Sequence, residues 1–141
     1  MSTRFRTSAG ALLAALTLSA PATARAPALA AVLTCDPITG PGRVLCSVEV
    51  RGLRTARMAW ADALVVAAPE FARPLRSRVA APRLEPSSKS ARIALALVAT
   101  GEGRGTLRVR ARAVLCQPRA GGELCWSEVQ EPSVELAFPS D

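Results

Sequence analysis

Strict alternation of apolar and polar residues is the feature that most restricts how this chain can fold. It is cleanest in TLRVRARAVLC (106–116), where Leu107, Val109, Ala111 and Ala113 occupy every second position. Arginines fill the three positions between these apolar residues, at 108, 110 and 112. Because a period of two places successive side chains on opposite faces of a strand, this segment predicts a β-strand with one buried face.

The same alternation recurs along the chain, in RVLCSVEV (43–50), ARIALALV (91–98) and SVELAF (133–138). TARMAWADALVVAA (55–68) fits a helix or a strand, and we favour a strand because Val65 and Val66 are β-branched. Clusters rich in Pro and Gly separate these segments and indicate turns. Six or seven short strands in about a hundred residues predict an all-β fold, an antiparallel immunoglobulin-like β-sandwich.

The first thirty residues have the pattern of a cleavable secretory signal peptide. Arg4 and Arg6 precede the apolar run SAGALLAALTLSA (8–20), and no acidic residue accompanies them. Small-x-small cleavage sites follow, ending at Ala24, Ala26 and Ala30. An uncleaved anchor helix is the alternative, but the apolar run is shorter than the ~20 residues that a membrane span needs.

We therefore predict a signal peptide over 1–30 and one sandwich domain over 31–141, located in the periplasm or secreted. No membrane span is predicted after cleavage, since Arg, Asp or Pro interrupts every later apolar run. The segment 31–141 has fifteen basic and eleven acidic residues, a net charge of +4. Because these charges are spread along the chain and aromatic residues are few, nucleic-acid binding is not predicted.

Four cysteines lie in the predicted domain: Cys35, Cys46, Cys116 and Cys125. An even number of cysteines in a small exported domain indicates two disulfides, for which three connectivities are possible. We favour the local pairs, Cys35 with Cys46 and Cys116 with Cys125, because each pair brackets a turn-rich segment that can close as a hairpin.

The absence of histidine excludes several kinds of active site. Ser-His-Asp and Cys-His nucleophiles and His-bearing zinc sites all need an imidazole. The cysteines lack the close C-x₂₋₄-C spacing of structural zinc sites. GEGRG (101–105) lies between two predicted strands, so we interpret it as a turn rather than a phosphate loop. No metal and no cofactor is predicted.

The C-terminal half resembles a known family over RIALALVATGEGRGTLRVRARAVLCQPRAGGELCWSEVQEPSVEL (92–136). It is similar to the end of the N-terminal, immunoglobulin-like periplasmic domain of the thiol:disulfide interchange protein DsbD. The matching positions are Cys116, Gly122, Cys125 and Trp126. The resemblance implies that Cys116 and Cys125 form a redox pair, and that Phe71 is the aromatic residue that shields it.

The alternating arginines allow two interpretations. Arg108, Arg110 and Arg112 could form a surface for an anionic partner, together with Arg119 beyond the strand. They could equally be an exposed charged face with cross-strand partners such as Glu128 or Glu135. Alternation also places Cys116 on this arginine side, a setting that would favour a thiolate.

Two tryptophans, Trp60 and Trp126, are predicted to pack, although Trp126 lies beside a loop cysteine and could cover a disulfide or contact a partner. The leading hypothesis is an exported, disulfide-stapled module that binds another exported protein and has no catalysis of its own. The alternative is a thiol-disulfide electron carrier that uses Cys116 and Cys125. A third hypothesis is a secreted inhibitor that presents the 117–124 loop.

Overall fold

The computed structural model describes residues 25–139, which form nine strands and no helix. The strands are β1 (Leu29–Cys35), β2 (Gly42–Gly52), β3 (Arg57–Ala67), β4 (Ala72–Pro74), β5 (Arg78–Ala80), β6 (Ser90–Ala99), β7 (Gly103–Arg119), β8 (Gly122–Gln130) and β9 (Ser133–Phe138). Within these residues no helix has the length and hydropathy that crossing a membrane requires.

The strands form two antiparallel sheets. One has the order β1-β2-β6-β4, and the other has the order β5-β3-β7-β8, with β9 also paired to β7. The four-strand order and the β3-β7-β8 order are those of the ABED and CFG sheets of a constant-type immunoglobulin sandwich, with β5 added at one edge. The predicted all-β sandwich is confirmed.

The predicted alternation places the core between the two sheets. The inward residues of β7, from Leu107 to Leu115, are all buried, as are the inward residues of β2 and β6. Leu136 of β9 is buried as well, and Val134 and Phe138 pack against the core. The period-two signal was therefore correct for each of these segments.

The ambiguous segment 55–68 is a strand, as favoured. β3 pairs with β7, but its register shifts between Met58 and Trp60 and again between Val65 and Ala67. Between these bulges Ala61 and Ala63 point into the core, so the intervening Asp62 lies on the outer face of the sheet. The extra residue at the first bulge sets which side chains of β3 reach that face.

β7 is much longer than any strand expected from the sequence and organises its whole sheet. β8 pairs with its C-terminal half, and β9 pairs with its N-terminal half along the same edge. Glu131 and Pro132 separate these two partners, and the Pro132 carbonyl still accepts a hydrogen bond from the Val109 amide at 3.1 Å. Residues far apart in sequence therefore lie along one strand: Phe71 packs against Gly103 at the start of β7, and Trp126 pairs with Leu115 near its end.

The sandwich begins before residue 31. Ala28 and Leu29 are buried, Leu29 pairs with Gly52, and the Leu53 amide donates to the Ala28 carbonyl at 2.7 Å. β1 therefore begins two residues before the expected domain boundary at residue 31, and the cleavage site stays a prediction. Most of the predicted signal peptide, residues 1–24, lies outside the described residues.

The predicted disulfide connectivity is confirmed. Cys35 pairs with Cys46 across β1 and β2, and Cys116 pairs with Cys125 across β7 and β8. In both cases the two residues are direct register partners on neighbouring strands. The first bridge lies on the inner side of its sheet, whereas the second lies on the outer face.

Candidate binding sites on the two outer faces

The Cys116–Cys125 bridge lies beneath an ion pair that sequence reasoning missed. Cys116 is on the outer, arginine-bearing side of β7, as alternation predicted, yet only 1% of it is exposed. Its register partner on β3 is Arg57, whose Nε and Nη2 both donate to the Glu123 carboxylate at 2.6 Å. This bidentate pair links β3 to β8 across β7, at the level of the bridge.

The two side chains of this ion pair stabilise each other's charged forms beside the sulfurs. The hydrogen bond and the charge of Glu123 raise the pKa of Arg57, and the hydrogen bond from Arg57 lowers the pKa of Glu123. Cys125 is an exposed residue, and its Sγ lies 3.9 Å from a Glu123 oxygen. Both sulfurs and that carboxylate lie within 4.8 Å of one another, but the disulfide consumes both thiolates and leaves no thiolate ligand for a metal.

A second cluster surrounds Asp62, the one charged residue among the buried positions of the described chain. Arg78 donates to its carboxylate at 2.6 Å, and Arg112 donates to it through both Nε and Nη2. The two guanidinium carbons lie 6.0 and 5.7 Å from the centre of the Trp60 ring. Burial opposes ionisation of Asp62, but the hydrogen bonds from the two arginines outweigh it and lower its pKa.

Two arginines of the ladder have acidic partners, as the charged-face interpretation expects, but these partners are neither Glu128 nor Glu135. Arg112 donates to Asp62, and Arg110 donates to Glu131 at 2.6 Å. The expected partners are occupied elsewhere. Glu128 accepts from the Trp126 indole and Glu135 accepts from the Thr106 hydroxyl. The bulge in β3 and the break at residues 131–132 set these pairings, and neither is visible in a period-two pattern.

Phe71 is not brought to the cysteine pair. Its ring packs against Gly103, where a Cβ would lie 2.6 Å from the ring. Gly103 begins β7, thirteen residues before Cys116, which corresponds to roughly 43 Å of extended strand. The aromatic shield implied by the family resemblance is thus absent from this position, and the Arg57–Glu123 pair lies at the bridge instead.

A largely apolar groove of about 330 Å³ lies on the outer face of the other sheet, where Val79 of β5 also lines it. Leu45 of β2 and Leu75, just after β4, form its sides and are 51% and 55% exposed. Ala94 and Ala96 of β6 lie between them, because Leu45 pairs with Ala96 and the Leu75 amide donates to the Ala96 carbonyl at 2.9 Å. The one sequence signal was Leu45, an apolar residue at an outward position of the alternation.

Two of the predicted binding residues meet in a different place. Arg119 and Trp126 line one small cavity beside the β7–β8 hairpin, with Gln117 and Leu124 of that hairpin. The neighbouring wall comes from the N-terminal segment and from Arg54 in the turn between β2 and β3. Trp126 is half-buried and packs against the core, as predicted.

No protein-family model matches the chain, and no curated protein matches it. One solved structure that is similar to it is AggA, the major subunit of aggregative adherence fimbriae type I from Escherichia coli. The match has a TM-score of 0.38 at 10% identity and covers 77% of this chain and 94% of that one. At so low a TM-score the likeness supports no conclusion about function.

Proposed function

We propose that this chain is an exported binding module that holds an extended segment of another exported protein, with no catalysis of its own. Two disulfides in a small sandwich fit an oxidising compartment. The observation that carries the proposal is the groove between Leu45 and Leu75. Two large apolar side chains, each half exposed, lie on either side of two alanines, so an apolar side chain of a partner can pack between them.

The charges around the groove define the partner. Arg43 and Arg76 line it, and neither forms an ion pair within residues 25–139. A peptide that fills the groove would therefore place an apolar side chain between the two leucines and carboxylates beside the two arginines. We expect the partner segment to have an apolar residue flanked by Asp or Glu.

Synthetic heptapeptides test this recognition. A peptide with a central Leu and Asp flanks should bind, and the same peptide with Lys flanks should bind at least tenfold more weakly. Leu45→Ser should weaken the acidic peptide about five- to tenfold, since it removes roughly half of the burial of a leucine side chain. Val32→Ser is the matched control, because Val32 is exposed on the same sheet face but does not line the groove.

Fluorescence anisotropy of the labelled peptides at two salt concentrations gives the affinities. Equal binding of the acidic and basic peptides would refute the assigned partner chemistry. Equal weakening by Leu45→Ser and Val32→Ser would refute the groove as the site.

The exposure of Cys125, one half of the Cys116–Cys125 bridge, favours a second candidate, the thiol-disulfide carrier that the DsbD resemblance implies. We propose that a partner dithiol attacks the Sγ of Cys125, the exposed residue of the bridge. The S–S bond then breaks, Cys116 leaves as a thiolate, and a mixed disulfide forms. The second thiol of the partner releases Cys125, so the partner is oxidised to a disulfide and both cysteines here become thiols.

A redox titration separates a carrier from a staple. The protein is equilibrated in a glutathione or dithiothreitol series, and mass spectrometry counts the alkylated cysteines. If the protein is a carrier, the Cys116–Cys125 bridge should have a reduction potential well above about −300 mV. The Cys35–Cys46 bridge is the internal control, since Cys46 is buried in the core. If both bridges resist reduction until the fold is lost, Cys116–Cys125 is a structural bridge and this candidate is wrong.

A further inference from the structure

The cavity beside the β7–β8 hairpin has a lining that none of the functions above uses. It has a volume of about 170 Å³ and lies at the opposite end of β2 from the Leu45 groove. Its polar side chains are cations and one amide, and no carboxylate lines it: Arg25, Arg54, Gln117 and Arg119. Its apolar side chains are Ala28, Leu124 and Trp126.

The arginines that line this cavity have no acidic partner among the described residues 25–139. Like charges around one cavity repel, and the repulsion is relieved when an anion binds between them. Arg25 lies in the segment that a signal peptidase would remove or leave at the terminus, so the argument rests on Arg54 and Arg119.

Arg54 occupies a backbone position that arginine does not favour. Its φ is +80°, in the left-handed region where glycine is the usual residue. The strained turn holds its side chain beside the cavity, opposite the hairpin that carries Arg119. Strained backbone positions of this kind are concentrated at ligand-binding and active sites.

The apolar wall restricts the ligand further. The Trp126 Nε1–H already donates to Glu128 at 2.9 Å, so its indole offers a ligand apolar ring surface rather than a donor. Leu124 is 44% exposed beside it. The ligand therefore combines one anionic group with an apolar body.

The C-terminal residue of a peptide is a ligand of this chemistry, since it carries one carboxylate beside one side chain. The cavity offers a cationic side and an apolar wall within a volume of about 170 Å³. We propose that this cavity binds the C-terminal residue of a peptide chain. Arg54 and Arg119 hold the terminal carboxylate, Gln117 donates to the same end of the chain, and an apolar last side chain packs on Trp126 and Leu124.

Peptides that differ only at the last carboxyl group test the proposal. The protein produced from the full-length sequence is titrated with a tetrapeptide ending in Leu, as the free acid and as the C-terminal amide. The ¹H–¹⁵N resonance of the Trp126 indole reports occupancy, and that of Trp60 is the internal reference. The free acid should shift the Trp126 resonance with a Kd in the millimolar range or below, and the amide should bind about tenfold more weakly or worse.

Two variants test the residues. Arg54→Gly removes the guanidinium and suits the left-handed backbone, so it should keep the fold while weakening the free acid about five- to tenfold. Arg119→Gln should weaken it to a similar degree. Arg83→Gln is the control for net charge, because Arg83 is exposed outside the cavity. Leu45→Ser should change nothing here, which separates this site from the groove.

Specific outcomes would overturn the proposal. Equal affinity for the acid and the amide would show that no carboxylate is recognised. Acetate that binds as tightly as the tetrapeptide would show a simple anion site without selection for a chain terminus. An Arg54→Gly protein that binds like the parent would remove the residue on which the argument rests.

Discussion

The substitution Asp62→Asn tests how the outer face of the β3–β7 sheet is held together. Asp62 is fully buried, at 0% exposure, and it accepts hydrogen bonds from both Arg78 and Arg112. Removing one member of a buried ion pair costs about 3–5 kcal/mol, whereas an exposed pair is worth about 0–1 kcal/mol. The arginine side chains here are 56% and 36% exposed, so water takes over part of the interaction. We expect a loss of about 2 kcal/mol at neutral pH.

The assay is urea unfolding at pH 7 and again near pH 3. The folded-state pKa of Asp62 is lowered, so its contribution is present above the unfolded-state value of about 4 and is lost as the pH falls below it. The difference between parent and Asp62→Asn should therefore shrink at acid pH. At neutral pH the melting temperature should fall by roughly 8 °C. Glu131→Gln breaks the half-exposed pair with Arg110 and should cost under about 0.5 kcal/mol.

Two results would refute this reasoning. A neutral-pH loss as small as that of Glu131→Gln would mean that the burial of Asp62 has no energetic consequence. A loss of the same size at pH 7 and pH 3 would mean that packing, rather than the charge of the carboxylate, is responsible.

The structure makes two further predictions about stability. A chain that begins at residue 31 lacks Ala28 and Leu29, so its free energy of unfolding in urea should be roughly 2–3 kcal/mol lower than that of a chain that begins at residue 25. The loss comes from the missing core leucine and its strand pairing. Equal urea midpoints would show that the start of β1 is dispensable. Gly105→Ala should lower the free energy of unfolding by about 1–3 kcal/mol, because its Cβ would lie 2.7 Å from the Pro69 Cβ. Gly40→Ala is the control in the same urea experiment, since nothing lies within 4 Å of its Cβ. Similar midpoints for the two variants would contradict the close approach at Pro69.

Sequence reasoning was most successful where a single periodic signal decides the outcome. Alternation identified the buried faces of β2, β6, β7 and β9, because burial of apolar side chains between two sheets forces a period of two. Cysteine spacing identified both disulfides, since each pair brackets one hairpin. The same reasoning failed for the partners of the arginines, as Arg112 pairs with Asp62 and Arg110 with Glu131.

Those pairings depend on register, which a single strand does not carry. The bulge before Trp60 rotates β3 so that Asp62 lies opposite Arg112, and the long β7 keeps Phe71 far from the cysteines. Arg57 was missed for the same reason, because sixty-six residues separate it from Glu123.

The amino-acid sequence by itself determined that this chain is a β-sandwich closed by two local disulfides, because alternation and hairpin spacing are local properties. Only the tertiary structure decided where the candidate binding surfaces lie. Leu45 and Leu75 form one groove, and Arg54 and Arg119 line one cavity, because hydrogen-bonded strands and turns from distant parts of the chain bring them together. The physical reason is that pairing between strands, including each bulge in it, is fixed by the whole packed sandwich and not by any one segment.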